Sequence, residues 1–147
     1  MKLTTFTDYS LRVLVYVATA PVGHATIAEV ARAFAISENH LVKVVHLLGR
    51  EGLLLNTRGR GGGLALARPV AGIKVGEVVR MTEGGDHLAE CFEDAGNCAI
   101  APVCRLAGVL GEAMAAFYRV LDGCTLADLV ENRRELAAIM HVHRTAQ

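Results

Sequence analysis

The stretch "TRGRGGG", residues 57–63, sets two arginines and four glycines in seven positions, and its flanks decide the fold. Glycines beside cations serve either a nucleotide phosphate or the backbone of a long polyanion. Ahead of them stands "GLLLN" (52–56) and behind them "LALA" (64–67), two short apolar runs that read as strands. The segment is therefore expected at the tip of a hairpin, where glycine supplies the positive φ angles of a tight reversal. A phosphate-cradling loop runs from a strand through glycines into a helix N-terminus, usually with Lys-Ser/Thr, and nothing of that kind follows Gly63.

Upstream of the hairpin, three helices are expected. Residues 7–20 show helical spacing, with Thr7 as N-cap and Pro21 as the stop. In "TIAEVARAF" (26–34), Thr26 and Glu29 stand in a capping-box relation, and Ile27, Val30, Ala31 and Phe34 share a face. Ser37 caps a third helix with a dry stripe of Leu41, Val44, Val45 and Leu48 and an opposite stripe of Asn39, Lys43, His46 and Arg50. Two short helices with a tight turn fit a helix-turn-helix, or any small helical hairpin with a solvated face. A hairpin carrying Arg58 and Arg60 directly after them is the layout of a winged helix, since arginine's planar fork suits phosphate oxygens. A solvated turn with two scattered arginines is the plain alternative.

Downstream, "IKVGEVVRMTE" (73–83) reads as a short helix closed by Gly84-Gly85, and "RLAGVLGEAMAAFYRVLDG" (105–123) as a long helix with a stripe of Leu106, Leu110, Ala113, Phe117 and Leu121. Such a helix on so small a unit calls for a partner surface, most simply the same helix of a second copy. Thr125 caps a terminal helix, "LADLVENRRELAAIM", that could pack beside it. The fold class is thus mainly α with a small β-hairpin wing. It is expected to divide into a winged helix-turn-helix unit (1–83), a cysteine loop expected to bind a cluster (84–104), and a dimerisation helix with a C-terminal helix (105–147).

The chain has 147 residues, 52% of them hydrophobic, and no net charge. Residues 1–80 nevertheless carry ten Lys/Arg against five Asp/Glu, and residues 81–147 five against ten, so the front half faces a polyanion more readily than the back. "RVLVYVATAP" (12–21) imitates a signal peptide, but its apolar core is too short, and no run approaches a membrane span. A cytoplasmic chain is expected, whose cysteines are ligands or thiols in preference to disulfides. Cys91, Cys98 and Cys104 fall within 14 residues without a Cys-x-x-Cys pair, a spacing that suits an iron-sulfur cluster better than tetrahedral zinc. Pro102 reads as the first residue of the long helix, which puts Cys104 in its first turn, where free N–H groups favour a thiolate. A Cys3His zinc site with His87, or three plain thiols, remain open, and Cys124 stands apart. No Ser/His/Asp set, metal-hydrolase motif or nucleotide loop is present, so no enzyme is expected.

In combination, "LTTFTDYSLRVLVYVA", "NHLVKVV", "RGRGGGLALARP", "GEVVR", the three cysteines, "CRLAGVL" and "FYRVLDGCTLADLV" resemble the NsrR-type nitric-oxide-sensing repressors, a branch of the winged-helix iron-sulfur regulators that also include IscR. The resemblance covers residues 1 to about 131. It implies a homodimer on a palindromic operator, and a 4Fe-4S cluster, in preference to 2Fe-2S, on Cys91, Cys98 and Cys104. Its fourth ligand would be Asp8 of the partner subunit. Read without the resemblance, Asp8 is a first-turn acid favoured by the helix dipole and paired with Arg12. The IscR branch uses a histidine three residues after the last cysteine, where this chain has Ala107; the six-residue gap between Cys91 and Cys98 is longer than the four or five more common in the NsrR type.

The resulting expectation is that Asn39, His40 and Lys43 read bases, Thr26 and Ser37 hold phosphates, and Arg58 and Arg60 serve the wing. Nitric oxide would release the repressor by reacting with its cluster. The rival readings are a regulator answering to iron, cluster status or oxidants through a zinc or thiol switch on the same cysteines, and an iron-sulfur protein that binds no DNA.

Overall fold

The computed structural model describes residues 2–57, 59, 62–84 and 98–141. Helix α1 (Thr5–Thr19) runs through the middle of the core, followed by α2 (Ile27–Phe34) and α3 (Glu38–Arg50). A two-stranded antiparallel hairpin, β1 (Leu54–Thr57) and β2 (Gly63–Leu66), comes next, paired Leu54 to Leu66 and Thr57 to Gly63. Then come α4 (Val75–Glu83), α5 (Leu106–Asp122), α6 (Leu126–Leu129) and α7 (Arg133–Met140). This is the α-rich, winged helix-turn-helix layout expected from the hydrophobic periods.

Local chemistry explains the boundaries. The start of α1 differs from expectation: Thr4, not Thr7, is the N-cap, its hydroxyl accepting from the Thr7 N–H at 3.2 Å. Thr7 lies inside the helix, fully buried, and donates to Glu83 at the end of α4. In α2 the expected capping box forms, with Thr26 N–H donating to Glu29 at 2.7 Å and Glu29 N–H returning to the Thr26 hydroxyl at 3.2 Å. Gly84 closes α4 in the left-handed region.

One contiguous core gathers Val13, Leu14 and Val17 of α1, Leu41, Val44 and Leu48 of α3, Leu54 and Leu64 of the hairpin, and Val78 of α4. The dry stripe expected for α3 is the buried one, side chain for side chain. The chain end departs from expectation twice. A turn at residues 130–132 splits the single terminal helix into α6 and α7, and α7 packs on α1 and not beside α5. Met140 is buried, His141 lies 4.3 Å from the Tyr16 ring and within 3.2 Å of the Thr19 hydroxyl, and Arg133 donates to the Ala20 carbonyl. The reason is apolar supply: Val130, Leu136 and Met140 join the apolar cluster built around α1.

Helix α5 uses part of its apolar stripe within the chain. Phe117 and Leu121 join Val75, Val79 and Tyr118 in a second small cluster against α4. Leu106 and Val109, nearer its start, are exposed.

Candidate nucleic-acid interface and cysteine segment

Because Leu41, Val44, Val45 and Leu48 anchor α3, its other side faces solvent, and Asn39, His40, Lys43, His46 and Arg50 are all exposed. A helix packed on one face and rich in hydrogen-bonding groups on the other can enter a major groove. Ser37 caps α3 without a side-chain hydrogen bond and is exposed, which leaves its hydroxyl for a phosphate. Thr26 is exposed too, but its hydroxyl is shared with Glu29 in the capping box. Two residues that the sequence did not single out stand beside this face: Thr5 and Tyr9 of α1 line a surface cleft together with His40 and Lys43. The Tyr9 and His40 rings stand 6.4 Å apart. No sequence pattern fixes which turn of α1 lies against α3, so only the packing reveals them.

The wing is held at its stem. Ala25, just before α2, forms an antiparallel bridge with Leu64, exchanging hydrogen bonds of 2.9 and 2.6 Å. Gly63 makes this approach possible, since a Cβ there would stand 2.7 Å from the Ala25 carbonyl oxygen. At the tip, Gly59 adopts φ +103°, the positive angle that the hairpin reading requires. Arg58 and Arg60 lie outside the described residues.

Of the cysteines, Cys98 and Cys104 are half-buried thiols on the link between α4 and α5, while Cys91, like His87, lies outside the described residues. A single 3-10 turn, Ala101–Val103, separates the two, with the Ala101 N–H donating to the Cys98 carbonyl at 3.0 Å. This corrects the expected start of the long helix. Pro102 lies second in that short turn; Cys104 is extended (φ −75°, ψ 119°), and α5 begins at Leu106. Cys104 therefore precedes the first turn of α5. Along the same stretch, Ile100, Val103 and Leu106 are exposed apolar side chains. Two thiols on one short link can donate to an iron-sulfur group, which requires thiolates. Among the described residues, no three His, Cys, Asp or Glu side chains come together.

Asp8 sits in the first turn of α1 and pairs with Arg12 at 3.0 Å, with 47% and 44% of the two side chains exposed. Arg12 also lies 5.5 Å from the centre of the Phe34 ring. At the neighbouring end of α4, burial raises the Glu83 carboxyl, but hydrogen bonds from the Thr7 hydroxyl and from the Thr4 N–H and hydroxyl outweigh it, so its pKa falls below the ordinary carboxylate value. Glu83 thus clamps the start of α1 to the point where the cysteine segment leaves α4.

The model of the Rrf2 family, described as iron-dependent transcriptional regulators, matches residues 3–132. The chain belongs to the Rrf2 family. Along its length this Rrf2 protein is similar to the HTH-type transcriptional regulator NsrR of Bacillus subtilis, 46% identical over 95% of this chain and 97% of that protein. It is also similar to NsrR of Geobacillus kaustophilus, 47% identical over 98% and 99%. Among solved structures, T. potens IscR superposes with a TM-score of 0.74 at 26% identity, covering 92% of this chain and 90% of that one. CymR, the global cysteine regulator of B. subtilis, does so with 0.72 at 28%, covering 90% and 98%. The Rrf2 protein is therefore a DNA-binding transcription regulator, and its named relatives are regulators, not enzymes. No helix among the described residues is long and apolar enough to cross a membrane.

Proposed function

We propose that this Rrf2 protein is a cytoplasmic, homodimeric repressor of NsrR type, which binds a palindromic operator while it holds a 4Fe-4S cluster and lets go when nitric oxide reacts with that cluster. Cys91, Cys98 and Cys104 of one protomer and Asp8 of the partner subunit would hold the cluster. Bound there, it supplies iron that takes up nitric oxide. The chain's own residues do the rest. Asn39, His40 and Lys43 read base edges, Ser37 and Thr26 hold phosphates at helix starts, and Arg58 and Arg60 carry the wing to an adjacent phosphate or the minor groove. Two copies of α3 must stand about 34–36 Å apart to read successive turns of one DNA face, so a small change between protomers is enough to lose the fit.

The observation that supports this most directly is the position of Cys98 and Cys104 on the link between α4, fastened to the DNA-binding unit, and α5, whose first turns expose Leu106 and Val109. Ligands at that joint act on the relation between the reading unit and the dimer axis. Anaerobically purified protein is expected to be brown, to contain iron and sulfide, and to retard a palindromic duplex in a gel until nitric oxide is added. Colourless protein that carries zinc or oxidisable thiols and still responds on DNA would replace this reading with the zinc or thiol switch.

A further inference from the structure

The crossing of α4 and α5 is fastened by more than its apolar contacts. Arg80 of α4 donates both arms of its guanidinium to Asp122 at the end of α5, at 2.7 Å each, and lies 4.2 Å over the Tyr118 ring. Gly76, one turn earlier on α4, faces the same carboxylate, and a Cβ there would collide with the Asp122 Oδ1. Flanking backbone bonds continue the seam, from Val75 N–H to the Cys124 carbonyl at 2.9 Å and from Leu126 N–H to the Ile73 carbonyl at 2.8 Å. Arg80's fork also holds the Asp122 carboxyl below the ordinary carboxylate value, against a smaller upward push from burial.

An ion pair whose side chains are 40% and 37% exposed adds little to stability. Its geometry does more: a planar fork gripped edge-on by a carboxylate and face-on by a tyrosine fixes direction as well as distance. From α4 the path to the DNA-reading face is continuous, because Val78 lies in the core with α1 and α1 packs on α3.

We propose that Arg80 is a positioning residue for DNA recognition: by locking α5 onto α4 it fixes the angle between the dimerising helix and α3, and so sets the half-site spacing that the dimer accepts. This rests on the dimeric reading above. Adding one base pair moves a half-site by about 3.4 Å along the axis and turns it by roughly 35°. A locked dimer cannot follow that movement, whereas one whose α4–α5 crossing can roll will follow it in part.

The test uses holoprotein and the palindromic duplex that wild type selects from a random pool, remade with one base pair added at or removed from its centre. Wild type is expected to lose about tenfold or more in affinity on each altered duplex, the equivalent of one or more forfeited base contacts per half-site. Arg80→Ala and Asp122→Asn are expected to lose threefold or less, with near wild-type affinity on the selected spacing. Arg80→Lys, which keeps the charge but not the fork, should fall with them. If Arg80→Ala does not fold, the two milder variants carry the test. Variants that melt with wild type and keep its full spacing penalty would overturn the proposal, as would affinity lost equally at every spacing. Wild type indifferent to spacing would instead refute the dimeric reading on which it rests.

Discussion

Gly63 gives the sharpest test of how the wing is built. Its neighbour Leu64 exchanges two hydrogen bonds with Ala25, and a methyl group on residue 63 would stand 2.7 Å from the Ala25 carbonyl oxygen, with His24 Cδ2 a further 3.3 Å neighbour. The Ala25 atoms in the way are its carbonyl oxygen and carbon, both backbone, so the strain cannot be relieved by a side-chain rotation. In Gly63→Ala the bridge must open by several tenths of an ångström, which weakens two bonds worth roughly 0.5–1.5 kcal/mol each. Against this, alanine reduces the entropy of the unfolded chain by about 0.4–1 kcal/mol. The balance is a loss of about 1–2 kcal/mol, or roughly 2–8 °C in Tm for a chain of this length. Gly72→Ala is the control, since nothing lies within 4 Å of its missing Cβ and its φ is not positive; it should change stability by no more than about 0.5 kcal/mol. Urea or thermal melts of the three proteins decide it. Gly63→Ala as stable as wild type would show that the hairpin stem is not held by the Ala25 bridge.

Arg60→Ala should lower operator affinity and reduce the slope of log affinity against log salt by about 0.9, measured by titration at several salt concentrations; an unchanged slope would remove Arg60 from the phosphate contacts. The Glu83 clamp should make the fold acid-sensitive. Its folded pKa is depressed, so its stabilisation is complete above the ordinary carboxylate range and drains away as pH falls through and below that range, and Glu83→Gln should flatten that part of the stability curve. Met140→Ala, although close to the chain end, should cost about 2–4 kcal/mol in urea unfolding because Met140 is part of the buried cluster around α1.

Periodicity and capping made most of this fold legible in advance. The Thr26/Glu29 box, the α3 stripe, the two strands around the glycines and the Gly84 stop are all short-range signals, and each appears where the residues put it. What escaped depends on tertiary choices. Thr4 and Thr7 are equally good caps locally, and the decision falls to Glu83, 76 residues further along, which binds both hydroxyls. The terminal helix carries an apolar face suited to several surfaces, and the cluster around α1 takes it. Pro102 suits a helical start by its fixed φ, yet it falls second in the Ala101–Val103 turn and not in the long helix, because Cys104 is extended and ends that turn before α5 begins. For the site, the polar face of α3 was readable from spacing alone; the neighbours Thr5 and Tyr9 and the Arg80 lock were not, since they depend on how helices cross.

The Asp8–Arg12 pair bears on whether Asp8 is free to serve as a ligand. An exposed i, i+4 pair is worth about 0.3–0.5 kcal/mol, a small obstacle beside the strength of a bond from a carboxylate to a metal centre. Nor is Arg12 stranded when the carboxylate turns away, because it already lies over the Phe34 ring, where a cation at an exposed site gains about 0.5–1 kcal/mol. The local ion pair and a ligand role are therefore not rivals: the pair is a resting partner weak enough to be given up. Arg12→Ala should accordingly leave cluster content, read as iron and sulfide per chain, close to wild type, whereas Asp8→Ala should lower it or shorten its lifetime. Equal loss in both would mean that Arg12 holds the carboxylate in place and that the resting-partner argument is wrong.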